Sequence, residues 1–150
     1  MRYPGRDGVL LPDVNVLIYA HRAESPEHSQ YTEWLRRLAE GPEPFGLSEL
    51  GASSFVRIVT NPRIWDEPTT TEDAFEFITR LRRRSNAKLL THGPASWDVF
   101  ERLCLAARAR GKLVADAYHA ALAVEHGCEL VTADGDFARF AGLRHRHPLA

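Results

Sequence analysis

Short apolar runs alternate along this chain with longer stretches in which apolar residues recur at helical spacing. The first run, residues 9–14, is interrupted by one acidic residue, Asp13, and predicts a buried strand, and the stretch 15–22 after it predicts a helix. The same alternation predicts further strands at 45–48, 87–91 and 129–132, helices at 26–40, 49–60, 71–84, 95–110 and 114–126, a short helix at 135–140 and a last strand within 143–149. Strands that alternate with helices favour an α/β sandwich with a mainly parallel sheet and right-handed crossovers.

Capping signals set several of these boundaries. Ser25 followed by Pro26 predicts a helix N-cap with proline at the first helical position. Thr70 and Asp73 have the spacing of a capping box, with Asp in place of the usual Glu. Gly127 is expected to close the helix 114–126, since glycine adopts the left-handed backbone that commonly ends helices.

Length and composition indicate one ordinary globular domain covering residues 1–150. The chain is 44% hydrophobic and 26% charged, without an internal repeat or a linker-like segment. No apolar run approaches the roughly 20 residues that a membrane span needs, so no membrane association is expected. The N-terminal segment lacks the long apolar region of a secretory signal, and the two cysteines form no CxxC pair. We therefore expect a cytoplasmic protein without a disulfide framework or a cysteine zinc site.

Charge is distributed unevenly, although the net charge is only −1. Residues 13–49 contain seven acidic residues against three basic ones, whereas residues 80–112 contain nine basic residues against two acidic ones. An acidic site beside a surface for a polyanion fits this distribution. Two solvated helix faces fit it as well, and charge alone leaves both interpretations open.

Four acidic residues stand at predicted strand ends or helix starts. Asp13 ends the first predicted strand, and Asp134 follows the strand 129–132 by two residues. Glu49 opens the helix 49–60, and Asp116 lies at the start of the helix 114–126. Because ligands of open α/β sheets bind beyond the carboxyl ends of the strands, we expect the four carboxylates to converge there.

Converging carboxylates repel one another unless a cation neutralises them. Oxygen ligands without nearby Cys or His favour a hard cation, Mg²⁺ or Mn²⁺, which commonly acts in phosphodiester hydrolysis. Asn15 and Thr132 are short polar residues placed to orient a carboxylate or a metal-bound water. Asp136 is a secondary candidate beside Asp134, or a cap for residues 137–140. Each acid also has a structural interpretation, because an acidic residue stabilises a helix N-terminus and serves in caps and turns.

The acidic segments resemble those of PIN-domain nucleases, and in particular VapC toxins of VapBC toxin–antitoxin pairs. The similar segments are LPDVNVLIYA at 11–20, LSE at 47–49, NPRIW at 61–65, VADAYHAA at 114–121 and LVTADGDF at 130–137. They occur in the family's order and spacing over nearly the whole chain. The resemblance implies a three-layer α/β/α sandwich with a mainly parallel central sheet of about five strands.

The same resemblance implies a function. Such a protein would be an Mg²⁺- or Mn²⁺-dependent endoribonuclease that inhibits translation and is neutralised by a VapB-type antitoxin. Homodimers and hetero-oligomers of toxin and antitoxin would be expected. Asp13, Glu49 and Asp116 would be metal ligands, Asp134 a ligand or a water-mediated partner, and Asn15 and Thr132 their supports. All four acids would be catalytic.

The basic residues Arg108, Arg110 and Lys112 flank the approach to Asp116 and are the candidates for RNA binding. A different class of function is a non-catalytic module of the same fold that binds RNA or a protein. The presence of all four acids counts against that module. A haloacid-dehalogenase type of phosphatase is disfavoured because Asn15 stands where its second aspartate belongs, and no P-loop motif occurs.

Overall fold

A computed structural model describes residues 8–150 of the chain. Its strands are β1 (Leu10–Pro12), β2 (Phe45–Ser48), β3 (Ala87–Leu90), β4 (Glu129–Val131) and β5 (His145–Arg146). Its helices are α1 (Val14–His21), α2 (His28–Glu40), α3 (Glu49–Val59), α4 (Thr71–Arg82), α5 (Ser96–Ala107) and α6 (Lys112–His126), followed by a 3₁₀ helix (Gly135–Arg139). Within the described range, no helix has the length and apolarity that crossing a membrane requires. The expectation about a secretory signal concerns residues 1–7 and lies outside this range.

The five strands form one sheet in the order β3-β2-β1-β4-β5, and every pair is parallel. The predicted parallel sheet of about five strands is therefore confirmed. The chain first adds strands on one side of β1 and then returns to add β4 on its other side. This switch point lies where β1 and β4 end side by side, with Pro12 opposite Val131. It is the position at which open α/β sheets bind their ligands.

Helices cover both faces of the sheet. Residues of α1, α2, α3 and α4 pack with Phe45 and Leu47 of β2 into one core, in which Phe55 is fully buried. Residues of α5 and α6 pack with Leu11 and Leu130 into a second core. The molecule is thus the three-layer sandwich implied by the resemblance. Burying a side chain such as Phe55 contributes about 1.5–3 kcal/mol relative to leaving it exposed.

Two predicted helix boundaries are wrong because a non-glycine residue adopts left-handed backbone. Ser25 is not an N-cap: residues 25–27 form a turn, Glu27 has a φ of 59°, and α2 begins only at His28. The helix predicted at 95–110 ends at Ala107, because Arg108 has a φ of 52°. The backbone N–H of Ala109 then closes the helix end on the carbonyl of Cys104. No sequence pattern marks either turn, since neither left-handed position is a glycine or an asparagine.

Other boundaries agree with the capping signals. The Thr70 hydroxyl accepts from the Asp73 N–H at 3.1 Å, and Gly127 ends α6 with a φ of 66°. The first strand is shorter than the predicted 9–14, because α1 already begins at Val14. Helix α6 starts at Lys112 rather than at 114, directly after Gly111, which has a φ of 58°. Asp116 therefore lies on the second turn of α6, not at the helix start.

Candidate metal centre

Asp13 connects the end of β1 to the start of α1. Its Oδ1 accepts a hydrogen bond of 2.8 Å from the Val14 N–H, which makes it the N-cap of α1. Its Oδ2 accepts a second bond of 2.8 Å from the Thr132 hydroxyl at the end of β4. The structural interpretation of Asp13 as a helix cap is thus correct, and the same carboxylate also faces the end of the neighbouring strand.

Thr132 links three residues at this edge of the sheet. Its buried hydroxyl donates to Asp13 and accepts from the Asn15 amide at 3.3 Å and from the Asp134 N–H at 3.0 Å. Asn15 in turn accepts a bond of 3.3 Å from the Ala133 N–H. Asn15 and Thr132 therefore hold the ends of β1 and β4 together beside the carboxylates.

A compact cluster of three carboxylates adjoins this network. Asp116, Asp134 and Asp136 each offer a carboxylate oxygen, and these oxygens all lie within 4.8 Å of one another. Asp116 is buried, Asp134 is partly buried and Asp136 is exposed. Asp134 accepts from the Asp136 N–H at 2.9 Å and so caps the 3₁₀ helix. The alternative role of Asp136 as the cap of that helix is wrong, because Asp134 has that role.

Lys112 lies directly on the cluster. Its ammonium group donates to Asp116 at 2.8 Å and to Asp134 at 3.0 Å. The hydrogen bond to Asp116 is the main cause that raises the pKa of Lys112 above its ordinary value. Lys112 is one of the predicted RNA-binding residues, and its contacts with the two carboxylates are not among the predictions. Its i,i+4 spacing to Asp116 is the signal that indicates the contact within α6.

The environments of Asp13 and Asp134 shift the pKa values of the two carboxylates in opposite directions. Burial raises the pKa of Asp13, and the nearby charge of Asp116 adds to the rise, although the Thr132 hydroxyl opposes it. Burial alone would raise the pKa of Asp134 too. Hydrogen bonds from the Asp136 N–H and from Lys112 outweigh that effect and leave the Asp134 pKa below its ordinary value. A neighbouring cation would therefore favour the charged form of Asp13.

Glu49 is placed differently from the other three acids. It is exposed in the first turn of α3, directly after β2, whose last residue Ser48 caps the helix. Glu49 lies outside the three-carboxylate cluster and lines a groove with Ala52 and Phe75. An acid in a first turn also complements the helix dipole, and its role as a metal ligand stays a prediction.

Arg108 and Arg110 are exposed in the connection between α5 and α6. This connection leads directly into Lys112 and so into the cluster. Arg110 precedes the lysine that contacts the carboxylates by two positions, and positive charge of this kind is what a surface for a polyanion requires. Their role in RNA binding stays a prediction.

The cluster has the donor chemistry of a site for a hard divalent cation. All its side-chain ligand atoms are carboxylate oxygens, which Mg²⁺ and Mn²⁺ prefer. A cationic group, the Lys112 ammonium, already lies between two of these carboxylates. The residues at this edge of the sheet therefore fit a divalent metal ion.

Comparison with known proteins gives a family and close relatives. The model of the PIN domain family matches residues 10–143. The chain is 43% identical over 141 residues to the VapC ribonuclease Mb2897 of Mycobacterium bovis, covering 94% of this chain and 96% of the relative. It is 40% identical over 140 residues to ribonuclease VapC25 of Mycobacterium tuberculosis, covering 93% and 99% of the two chains.

A solved structure has the same fold at much lower sequence identity. The structure is that of VapBC2 from Rickettsia felis bound to a DNA fragment from its promoter. The matched chain has a TM-score of 0.69 and 16% identity, and the match covers 93% of this chain and 98% of that one. This likeness shows the three-layer fold, and the closer relatives show the family.

Proposed function

The chain belongs to the PIN domain family, as a VapC-type member, and we propose that it is a metal-dependent endoribonuclease that acts as the toxin of a toxin–antitoxin pair. The observation that carries the proposal is the cluster of Asp116, Asp134 and Asp136 at the switch point of the sheet, next to Asp13. The relatives of 43% and 40% identity are named as ribonucleases, which supports RNA as the substrate.

The proposed metal site consists of Asp13, Asp116 and Asp134, with Glu49 as a further ligand and Asp136 at its exposed side. The cation would be Mg²⁺ or Mn²⁺. When bound, it would supply an activated water for attack on a phosphodiester and offset negative charge on the attacking and leaving oxygens. The protein side chains would hold the cation and orient its ligands.

Thr132 and Asn15 are proposed as positioning residues. The Thr132 hydroxyl fixes one oxygen of Asp13 at 2.8 Å, and the Val14 N–H fixes the other at 2.8 Å. A carboxylate with both oxygens held by hydrogen bonds has little freedom to rotate toward solvent. Such partners behind the ligands commonly affect metal affinity or activity by about 10–100-fold.

Arg108 and Arg110 are proposed to contact the RNA backbone. Both are exposed, and the connection that carries them runs into the acidic site at Lys112. Phosphate contacts of this kind position a nucleic acid but do not read its sequence. The RNA that this protein cuts is therefore chosen by other features of the surface.

The proposed protein partner is a VapB-type antitoxin, as in the Rickettsia felis VapBC2 complex, whose matched chain has this fold. In the cell the free toxin would then cut RNA in the cytoplasm and inhibit translation and growth.

We also propose a homodimer. Helix α5 exposes Trp97 and Leu105, which are 63% and 71% accessible, and large apolar side chains exposed in this way support a protein interface.

Cleavage of a total-RNA pool by the purified chain tests the activity. We expect discrete fragments with Mg²⁺ or Mn²⁺ and none with EDTA, and mapping of the fragment ends would name the target. A folded, antitoxin-free protein that cuts no RNA with either metal would contradict the nuclease and favour the non-catalytic binding module. A protein that cuts equally well in EDTA would contradict the metal dependence.

A further inference from the structure

Lys112 occupies a position that is unfavourable for a cation. It is the first residue of α6, where the unpaired N–H groups give the helix end a partial positive charge. A lysine is stabilised there only if nearby anions compensate. Asp116 and Asp134 do so, because their Oδ2 atoms accept from the ammonium at 2.8 and 3.0 Å.

The same two carboxylates belong to the proposed metal site. A divalent cation bound to them needs their oxygens at about 2.0–2.6 Å, the distances of magnesium and calcium coordination. The ammonium group already occupies one oxygen of each acid. Two positive groups between the same pair of carboxylates would repel each other strongly over a few ångströms. A metal ion that takes the same two oxygens must therefore displace the ammonium.

The Lys112 side chain can move away from the cluster more easily than that of Asp116 can. The Lys112 side chain is 69% exposed, and that of Asp116 is only 12% exposed. The long lysine side chain can move its ammonium into solvent without disturbing the core. Asp116 is held within the buried face of α6, so the carboxylate keeps its place when the lysine departs.

We propose that Lys112 is a tethered counter-ion of the metal site, which occupies Asp116 and Asp134 in the absence of a divalent cation and which the cation must displace in order to bind. This inference rests on the proposed function for the identity of the site. It assigns Lys112 two effects: the lysine stabilises the acidic cluster when no metal ion is bound, and it weakens metal binding.

The chain offers a direct spectroscopic test, because it contains only two lysines, Lys88 and Lys112. Lysine labelled with ¹³C at the ε carbon gives one signal for each, and a Lys88→Arg variant assigns them. On titration with Mg²⁺, we expect the Lys112 signal to move to the position of a solvated lysine. The Lys88 signal, from an exposed residue of β3, should stay unchanged. A Lys112 signal that stays in place while Mg²⁺ binds would overturn the inference.

The backbone amide of Asp136 separates failure of the inference from failure of the proposed function. This amide donates to Asp134 at 2.9 Å, so it senses metal binding at the cluster without involving Lys112. If it shifts and Lys112 does not, the inference is wrong and the metal site survives. If neither shifts at saturating Mg²⁺, the proposed metal site is itself wrong, and the inference is overturned with it.

A matched pair of variants measures the size of the effect. Lys112→Gln should bind Mn²⁺ about tenfold more tightly than the wild type, which is within the usual range of coupling between two interacting sites. Lys88→Gln removes the same charge elsewhere and should bind Mn²⁺ as the wild type does. Lys112→Gln should also lower the melting temperature in EDTA, and saturating Mn²⁺ should remove the difference. Unchanged or weaker Mn²⁺ binding by Lys112→Gln would overturn the inference.

Discussion

The Thr132 hydroxyl donates a hydrogen bond of 2.8 Å to the Asp13 carboxylate, across 119 positions of the sequence. This contact joins the ends of β4 and β1 at the point where the order of the sheet reverses. The same hydroxyl oxygen accepts from the Asp134 N–H, so one side chain couples two of the acidic residues. The Thr132 side chain therefore fixes Asp13 and the Asp134 backbone relative to each other.

Replacing Thr132 by valine should both destabilise the protein and slow cleavage. The change preserves the shape of the side chain but leaves buried polar partners unsatisfied, which costs about 1–3 kcal/mol. Urea denaturation measures the stability, and the rate of RNA cleavage measures the effect on the site. Thr132→Ser keeps the hydroxyl and serves as the control, for which we expect most of the activity to remain. A Thr132→Val protein as active and stable as the wild type would show that the hydroxyl orients nothing.

Acid should destabilise the fold through His21. Its ring packs edge-on against the stacked pair of Phe55 and Phe77, with centroid distances of 5.3 and 5.0 Å, and its Nε2 is 2.9 Å from the Thr69 hydroxyl. Burial and, to a lesser degree, the charge of Arg22 lower the pKa of His21 below its ordinary 6.5. The folded state thus favours the neutral ring, and this stabilisation is present above pH 6.5 and is lost as the pH falls through the lowered pKa.

The free energy of unfolding, measured with urea at pH 7.5 and 5.5, tests this prediction. The wild type should lose more stability between the two values than a His21→Gln variant does, because glutamine keeps a polar group near Thr69 without titrating. The other histidines are the same in both proteins, so the comparison isolates His21. Equal losses in the two proteins would be incompatible with a lowered His21 pKa.

The basic connection between α5 and α6 should contribute salt-dependent RNA affinity. We expect the double change Arg108→Gln and Arg110→Gln to weaken RNA binding and to flatten its dependence on salt. The slope of log K against log salt should fall by about 0.7 for each phosphate contact that is lost. Fluorescence anisotropy in EDTA measures binding without cleavage.

Arg37→Gln is the matched control for the basic connection. Arg37 lies on α2 near Gly8, Glu43 and Glu129, at the amino ends of the strands and thus at the opposite edge of the sheet from the acidic cluster. Its loss should leave the salt slope unchanged. If the double variant and the control have the same slope as the wild type, RNA does not bind along the α5–α6 connection.

Most of the fold could be predicted because most helices and strands begin and end at local sequence signals. The apolar runs, the Thr70 cap and the terminal Gly127 each predict a boundary that the structure has within a few residues. The errors lie at Glu27 and Arg108, where an exposed non-glycine residue adopts left-handed backbone. Sequence patterns report local preference, and these two positions contradict it.

The candidate site was predictable to the extent that it depends on strand ends. Asp13 and Asp134 follow β1 and β4, and the topology rule then brings them to one edge. The bridge from Lys112 to Asp134 spans 22 positions and depends on how α6 packs beside β4, which no sequence spacing reveals. Glu49 lies directly after β2, as predicted, but its exposed side chain lies outside the cluster. A correct backbone position therefore does not by itself predict which carboxylates meet.

The central claim is that the buried acid of α6 belongs to a metal-dependent RNA cleavage site, and Asp116→Asn tests it most directly. Asp98→Asn is the matched control, because Asp98 is an exposed acid on α5 that lies away from the cluster. With Mn²⁺ and a mapped RNA substrate, we expect Asp98→Asn to cleave at the wild-type rate and Asp116→Asn to cleave no faster than the wild type in EDTA. Cleavage by a folded Asp116→Asn protein at the wild-type rate would contradict the account.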